Sequence, residues 1–302
     1  MNHYYIVDVF TDKAFNGAQI AVFPEASELN EGQMQLIARE LNFSDTVFVQ
    51  PKTKSDYKLK VFTPNDRRNF SGHATLAAAY VLGKSSLAPL QEKHTSVTME
   101  QNESLTHVVI SQQDDDLFIQ FSRKSSPVVD RYVPNNHELA ASLSLEERDI
   151  SKTPYNTLLV SCDQPFLIVP LTSFEAVRKA QFNFKQWSSS VAPISAATEI
   201  LLFSTKSDLK TSNFHGRIVG PQIGIDEDPP IGAAMPAFTG FLNAQGHVRP
   251  GTYSFVIDRG TVTTRKSVLS IEMVNQKGKE NEIRVGGPAV LVGEGKIASP
   301  SA

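Results

Sequence analysis

Apolar and polar positions along the chain change period often enough to mark out its elements. In the first part, short runs of β-branched and aromatic residues at 4–10, 18–23, 46–50, 57–62, 96–99, 107–111 and 117–121 read as strands. Two helical patterns interrupt them. Residues 31–41 place Met34, Ile37, Ala38 and Leu41 on one face behind Asn30, a suitable N-cap, and predict an amphipathic surface helix. Residues 72–82 are apolar nearly all round, which predicts a helix wrapped by strands rather than laid on them.

The same order returns in the second half. Strand patterns at 158–161 and 166–170 precede a helix at 173–180, then strands at 199–204 and 217–219, and then a second greasy helix from Gly232. Strand patterns at 253–257, 268–274 and 282–285 follow. Both buried helices open on a glycine, Gly72 and Gly232, with a proline upstream, Pro64 and Pro221. Between about residues 122 and 155 the chain turns polar around a charged helical pattern at 138–147, which sets a domain boundary near 122. The predicted domains are 1–121, completed by the closing segment 286–302, and 122–285. The fold class is α+β: two pseudo-symmetric domains, each a curled, mostly antiparallel sheet or barrel around a central buried helix.

Composition narrows the function. At 302 residues the chain is long enough for two cores. With 29 Lys and Arg against 32 Asp and Glu, it has no basic excess to attract nucleic acid or anionic lipid. No apolar run approaches the roughly 20 residues that cross a bilayer. The N-terminus reads as a strand rather than a signal peptide, and the single Cys162 cannot form an internal disulfide. A cytoplasmic protein is expected.

Chemical candidates are few. The chain lacks a G-x-G-x-x-G, a P-loop, an H-E-x-x-H and a C-x-x-C, and its seven histidines have no ligand spacing, so neither cofactor nor metal is expected. His73 stands out because the buried helix begins there, beside unpaired N–H groups and the positive end of the helix dipole. That setting favours a neutral imidazole and a nearby anion, although a cap or a packed core histidine is the blander reading. Asp228 holds the matching place before Gly232, in the run Asp226-Glu227-Asp228; a solvated acidic loop is its ordinary reading. Asp45 follows the surface helix in a Ser44-Asp45 pair that resembles a common turn.

Several motifs in order carry a resemblance over nearly the whole length: Val7-Asp8-Val9-Phe10-Thr11, Phe15 with Gly17, Ile37 to Ser44, Phe62-Thr63-Pro64, Gly72-His73-Ala74-Thr75-Leu76, Glu227-Asp228-Pro229 with Gly232, and Val285 with Gly287. The chain resembles the phenazine-biosynthesis PhzF-like proteins of the diaminopimelate-epimerase-type fold. The resemblance implies a cofactor-free site in a cleft between two similar domains, where one acid moves a proton between carbons of a small carboxylate-bearing metabolite. It implies Asp45 as that acid, with His73 and Asp228 holding the substrate, and Ser44, Gly72, Ala74, Gly232 and Ala233 beside it. A homodimer is implied as well.

Related racemases use a cysteine at each helix start, and here those places hold His73 and Ala233, which excludes two-thiol chemistry. Other departures are specific to this chain. Asp45 replaces the family's usual glutamate and is one methylene shorter; Ile231 and Ala233 replace hydroxyl residues; Ala18-Gln19 replace Asn-Pro; and the stretch around Arg67-Arg68 replaces an acidic residue. The expected activity is a proton-shuttling isomerase. The alternative is a relative that binds a small acid without turning it over.

Overall fold

The computed structural model describes the chain except residues 92, 114–115, 163, 191–198, 222, 225–227, 262, 276–280 and 301–302. Glu227 of the acidic run therefore lies outside the described residues, as does Asp226. Two compact units divide the chain. One comprises Met1–Arg123, Arg265–Leu269 and Arg284–Ala302, and the other Lys124–Thr264 and Ser270–Ile283. Residues Arg265–Leu269, which the sequence pattern placed in the second half, thus count with the first unit.

In the first unit, strands β1 (Asn2–Val9), β2 (Ala18–Phe23), β3 (Asp45–Pro51) and β4 (Asp56–Phe62) are followed by β6 (His94–Gln101), β7 (Ser104–Gln113), β8 (Asp116–Ser125) and β16 (Asn281–Ile297). They pair in that order, and β16 also pairs with β1, so eight strands close into a barrel with no free edge. The two-residue β5 (Arg67–Arg68) pairs with β4 outside this ring.

Helix α2 (Gly72–Lys84) packs on β1, β2, β3 and β7, with every residue from His73 to Gly83 buried. Its alanines suit that place, since small side chains let strands approach from all sides. Helix α1 (Glu31–Leu41) lies outside the ring and buries Met34, Ile37 and Ala38 against β3 and β4. Asn30 and Gln33 form a capping box at its start, and Asn42 ends it in the left-handed conformation.

The second unit contains β9 (Val128–Asp130), β10 (Leu158–Ser161), β11 (Pro165–Pro170), β12 (Glu199–Ser204), β13 (Phe214–Val219), β14 (Gly251–Thr261) and the part of β15 (Thr264–Asn275) outside Arg265–Leu269, in the spatial order β15-β14-β13-β12-β11-β10-β9. Its pairings repeat those of the first. An antiparallel pair (β1 with β2; β10 with β11) leads through a helical crossover to a parallel strand (β3; β12), then to an antiparallel one (β4; β13). The buried helix then crosses to another parallel strand (β6; β14). Two pseudo-symmetric copies of one topology are thus visible in the ladder itself.

The crossover between β11 and β12 carries α4 (Phe174–Lys179) and α5 (Phe184–Ser189), and a further helix, α3 (Asn136–Ser142), precedes β10. The central helix here is α6 (Met235–Asn243), set in a cluster of Phe203, Phe214, Phe238, Phe241 and Phe255. It begins three residues later than the sequence pattern predicts, because Gly232–Ala234 form one turn of 3-10 helix. No side chain caps that turn, and Pro236 in the first turn of α6 has no N–H to donate. None of the helices is long and apolar enough to cross a membrane, among the described residues.

Candidate functional site

At one end of the first barrel, the start of α2 meets the start of β3. Ser71 is the N-cap of α2, and its Oγ accepts from the Ala74 N–H at 3.2 Å. The same hydroxyl donates to Asp45 Oδ2 at 2.6 Å, and Arg68 Nε donates to Asp45 Oδ1 at 2.7 Å. Behind Ser71, its N–H donates to Gln101 Oε1 at 2.9 Å, while Gln101 Nε2 donates to Thr75 Oγ1 and Thr75 Oγ1 to the Ser71 carbonyl. This buried chain of hydrogen bonds fixes the cap, and through the cap it fixes the carboxylate.

Asp45 is the first residue of β3 and is only 7% exposed. Burial pushes its carboxyl above the ordinary aspartate range, against the lowering pull of the Arg68 guanidinium and of the Ser71 and Arg68 hydrogen bonds. Burial prevails partly because half of the Arg68 side chain faces water, where its charge is screened. The carboxylate is therefore a better base than a surface aspartate. Each of its oxygens takes one bond, and a carboxylate can accept about four.

His73 follows in the first turn of α2, buried, with its ring edge-on to Phe10 at 5.1 Å between centroids. Phe10 ends the β1 side of a loop in which both it and Phe15 have left-handed backbone, φ 61° and 68°. Gly17 closes that loop at φ +64°, where an added Cβ would fall 2.2 Å from the Val9 carbonyl oxygen. Ser44 is exposed, and its Oγ donates to the Gln19 carbonyl at 3.3 Å.

The first unit thus gathers Ser44, Asp45, Gly72, His73 and Ala74. The other three sequence candidates lie in the second unit. Asp228 has a side chain only 6% exposed; its Oδ2 accepts from Arg178 Nη1 at 2.7 Å, and its carbonyl accepts from Arg259 Nη1. Its Oδ1 is buried without a hydrogen-bond partner among the described residues. Gly232 is half-buried and Ala233 exposed on the 3-10 turn.

Four residues of these two clusters carry no signal in the local pattern. Arg68, Ser71, Gln101 and Arg178 reach their partners across 23 to 50 positions. Arg68 was visible only as a departure in charge from the family pattern.

A buried carboxylate tied to a helix start, beside a histidine, suits proton transfer at carbon. Comparisons with known proteins identify the family. An uncharacterized isomerase of Mesorhizobium japonicum is 29% identical over 300 residues, covering 98% of both chains. A trans-2,3-dihydro-3-hydroxyanthranilate isomerase of Pseudomonas chlororaphis is 42% identical over 84 residues, 28% of this chain and 30% of that one. The crystal structure of a PhzF-family phenazine biosynthesis protein from Bacillus anthracis superposes with a TM-score of 0.84 at 22% identity, over 98% of this chain and 99% of that one, and shows the fold. The family model of phenazine biosynthesis-like proteins, PhzC-PhzF, matches residues 7–295, and with the doubled topology and helix-start chemistry this places the chain in that isomerase family.

Proposed function

We propose that the protein is a cofactor-independent isomerase that moves a proton between two carbons of a small carboxylate-bearing metabolite, with Asp45 as the shuttling acid and base. The observation that carries the reading is the buried Asp45 carboxylate, raised in pKa and bonded to the cap of α2 two residues before His73. Asp45 takes a proton from one carbon, holds it as the carboxylic acid, and returns it to another carbon as the double bond shifts. Proton count is conserved, and no oxidant or reductant enters.

Arg68 and Ser71 hold the carboxylate in one orientation throughout, which supplies the positioning that such chemistry needs. The N–H groups and dipole at the start of α2, with His73, favour the substrate's anionic group. Asp228 is assigned to substrate binding by the family resemblance, and the arginine on its Oδ2 with the open Oδ1 supports the role. The trans-2,3-dihydro-3-hydroxyanthranilate named for the Pseudomonas relative belongs to that protein, whose match spans less than a third of this chain.

One observation favours a second reading. Asp45 is shorter than the family's glutamate and already engaged at both oxygens, which suits a protein that binds an acid without turnover. NMR detection of deuterium uptake from D₂O into a panel of small carboxylic acids, comparing wild type with Asp45→Ala, separates the two. Exchange at carbon that vanishes in the variant supports the isomerase. Acids that shift in the wild-type spectra without exchanging support the binding protein.

A further inference from the structure

Asp45 is held from two sides, and only one of them faces water. Its Oδ2 accepts from Ser71 Oγ at 2.6 Å, and Ser71 is buried with its own N–H on Gln101. Its Oδ1 accepts from Arg68 Nε at 2.7 Å, and the Arg68 side chain is 51% exposed. The Ser71 side is closed by protein, so a molecule that comes from solvent to the Asp45 carboxylate comes along Arg68.

The guanidinium is only partly used there. Nε is the one side-chain donor of Arg68 with a partner among the described residues, which leaves both Nη groups open. They share a rigid plane with Nε, which holds them within about 5 Å of Asp45 Oδ1. Neighbouring Arg67 differs: its Nη1 donates to Glu31 Oε1 at 2.9 Å, and Lys60 Nζ meets the same oxygen at 3.2 Å. The pairing of Arg67 with Phe62 and of Arg68 with Val61 on β4 turns the two side chains to opposite faces. One guanidinium is neutralised at α1, and the other is carried to the buried acid.

A half-exposed ion pair contributes little to stability, so folding alone does not account for an arginine here. An open planar fork binds a carboxylate or a phosphate through two parallel hydrogen bonds. Of these anions a carboxylate fits proton transfer at carbon, because the electron pair left when a C–H bond breaks spreads onto an attached carboxylate.

We infer that Arg68 is a substrate-binding residue that takes a second carboxylate through its two Nη groups, so that the substrate is a small dicarboxylate with its reacting carbons beside Asp45. This rests on the proton-shuttle reading of the same site, in which the start of α2 and His73 favour the first anionic group. The two positive features lie one on each oxygen of Asp45, the α2 cap on Oδ2 and Arg68 on Oδ1. A dicarboxylate that bridges them sets the carbons between its carboxylates against the base. When Asp45 takes the proton, its negative charge passes to the substrate and stays within reach of the same guanidinium, so the cation loses no partner during the transfer.

The test titrates the full chain with propionate, malonate, succinate and glutarate by NMR, near neutral pH and at constant ionic strength, in wild type, Arg68→Lys and Arg68→Gln. Wild type is expected to bind the tightest diacid roughly ten-fold better than propionate. Arg68→Gln should bring that ratio to within about two-fold while propionate binds as before, and Arg68→Lys, which keeps the charge without the fork, should fall between. An arginine that only positions Asp45 would alter exchange at carbon and leave the ratio alone. A wild type with no preference for any diacid, or a preference that survives Arg68→Gln, overturns the inference and leaves the shuttle standing. Deuterium uptake from D₂O into the same acids reads the shuttle separately: an Arg68-dependent preference without uptake supports the second carboxylate and overturns the shuttle. A wild type that binds none of the acids overturns both.

Discussion

The starts of α2 and α6 occupy the same place in two copies of one topology, and they are built in opposite ways. Helix α2 begins as a regular α-helix behind a serine cap, with a buried carboxylate bonded to that cap. Helix α6 is approached through an uncapped 3-10 turn, with a proline in its first turn and its acid paired to an arginine. Topology is therefore shared while chemistry is not. The first copy uses its polar groups to orient a carboxylate whose proton affinity burial has raised. The second neutralises half of its aspartate with Arg178 and leaves the other oxygen open.

Substitutions in the two copies would break or sharpen the contrast. The largest effect is expected from Asp45→Ala, which should reduce carbon–hydrogen exchange by roughly 10² to 10⁴-fold in the D₂O assay, the usual contribution of a general base. An Asp228→Asn change that cost as much would argue that both copies do proton chemistry.

Arg178→Ala comes next, at about 2 to 3 kcal/mol in urea unfolding, because it strands the buried Asp228 carboxylate; the value lies below that of a fully buried pair since Arg178 retains some exposure. Ser71→Ala should cost about 1 to 2 kcal/mol by the same measurement, from the lost cap and the lost bond to Asp45. In the second copy Ala233→Ser, on an exposed uncapped turn, should change stability by less than about 0.5 kcal/mol.

The smallest effects are in pH dependence. Arg68→Ala removes an influence that lowers the Asp45 pKa, so the pH at which exchange begins should move upward in the pH–rate profile. The Asp45 pKa is raised in the folded state, so the native protein binds more protons than the unfolded chain. Its contribution thus lessens stability as pH rises from the ordinary aspartate range through the folded pKa, and is fully felt above it. Asp45→Asn should flatten that slope, seen as a smaller loss of stability as pH rises above about 4 in urea melts of the variant.

Local pattern made much of the fold legible. Alternation located β1 to β4 and β6 to β8 to within a few residues, and the N-cap at Asn30 was visible because cap, spacing and apolar face agree. The α2 bounds followed from an apolar run with a glycine opening. The start of α6 did not follow from Gly232, since helix pitch there depends on missing caps and on Pro236, to which an apolar average is blind. β5 escaped because two exposed arginines have no period, although their pairing with Val61 and Phe62 is what brings Arg68 to Asp45.

Asp45, His73 and Asp228 stood out as a set only through resemblance to a family, because a Ser-Asp turn, a histidine near a helix start and an acidic loop are each ordinary alone. The sequence by itself determined the periods, the two greasy helices, the repeated order and the absence of a cysteine pair, since all of these depend on near neighbours or on composition. Only the tertiary structure decided that Asp45 is buried and bonded to Ser71 and Arg68, and that Asp228 is met by Arg178. Those contacts join residues far apart in the chain. Their energies come from desolvation and hydrogen-bond geometry, which exist only once the barrel has closed around α2.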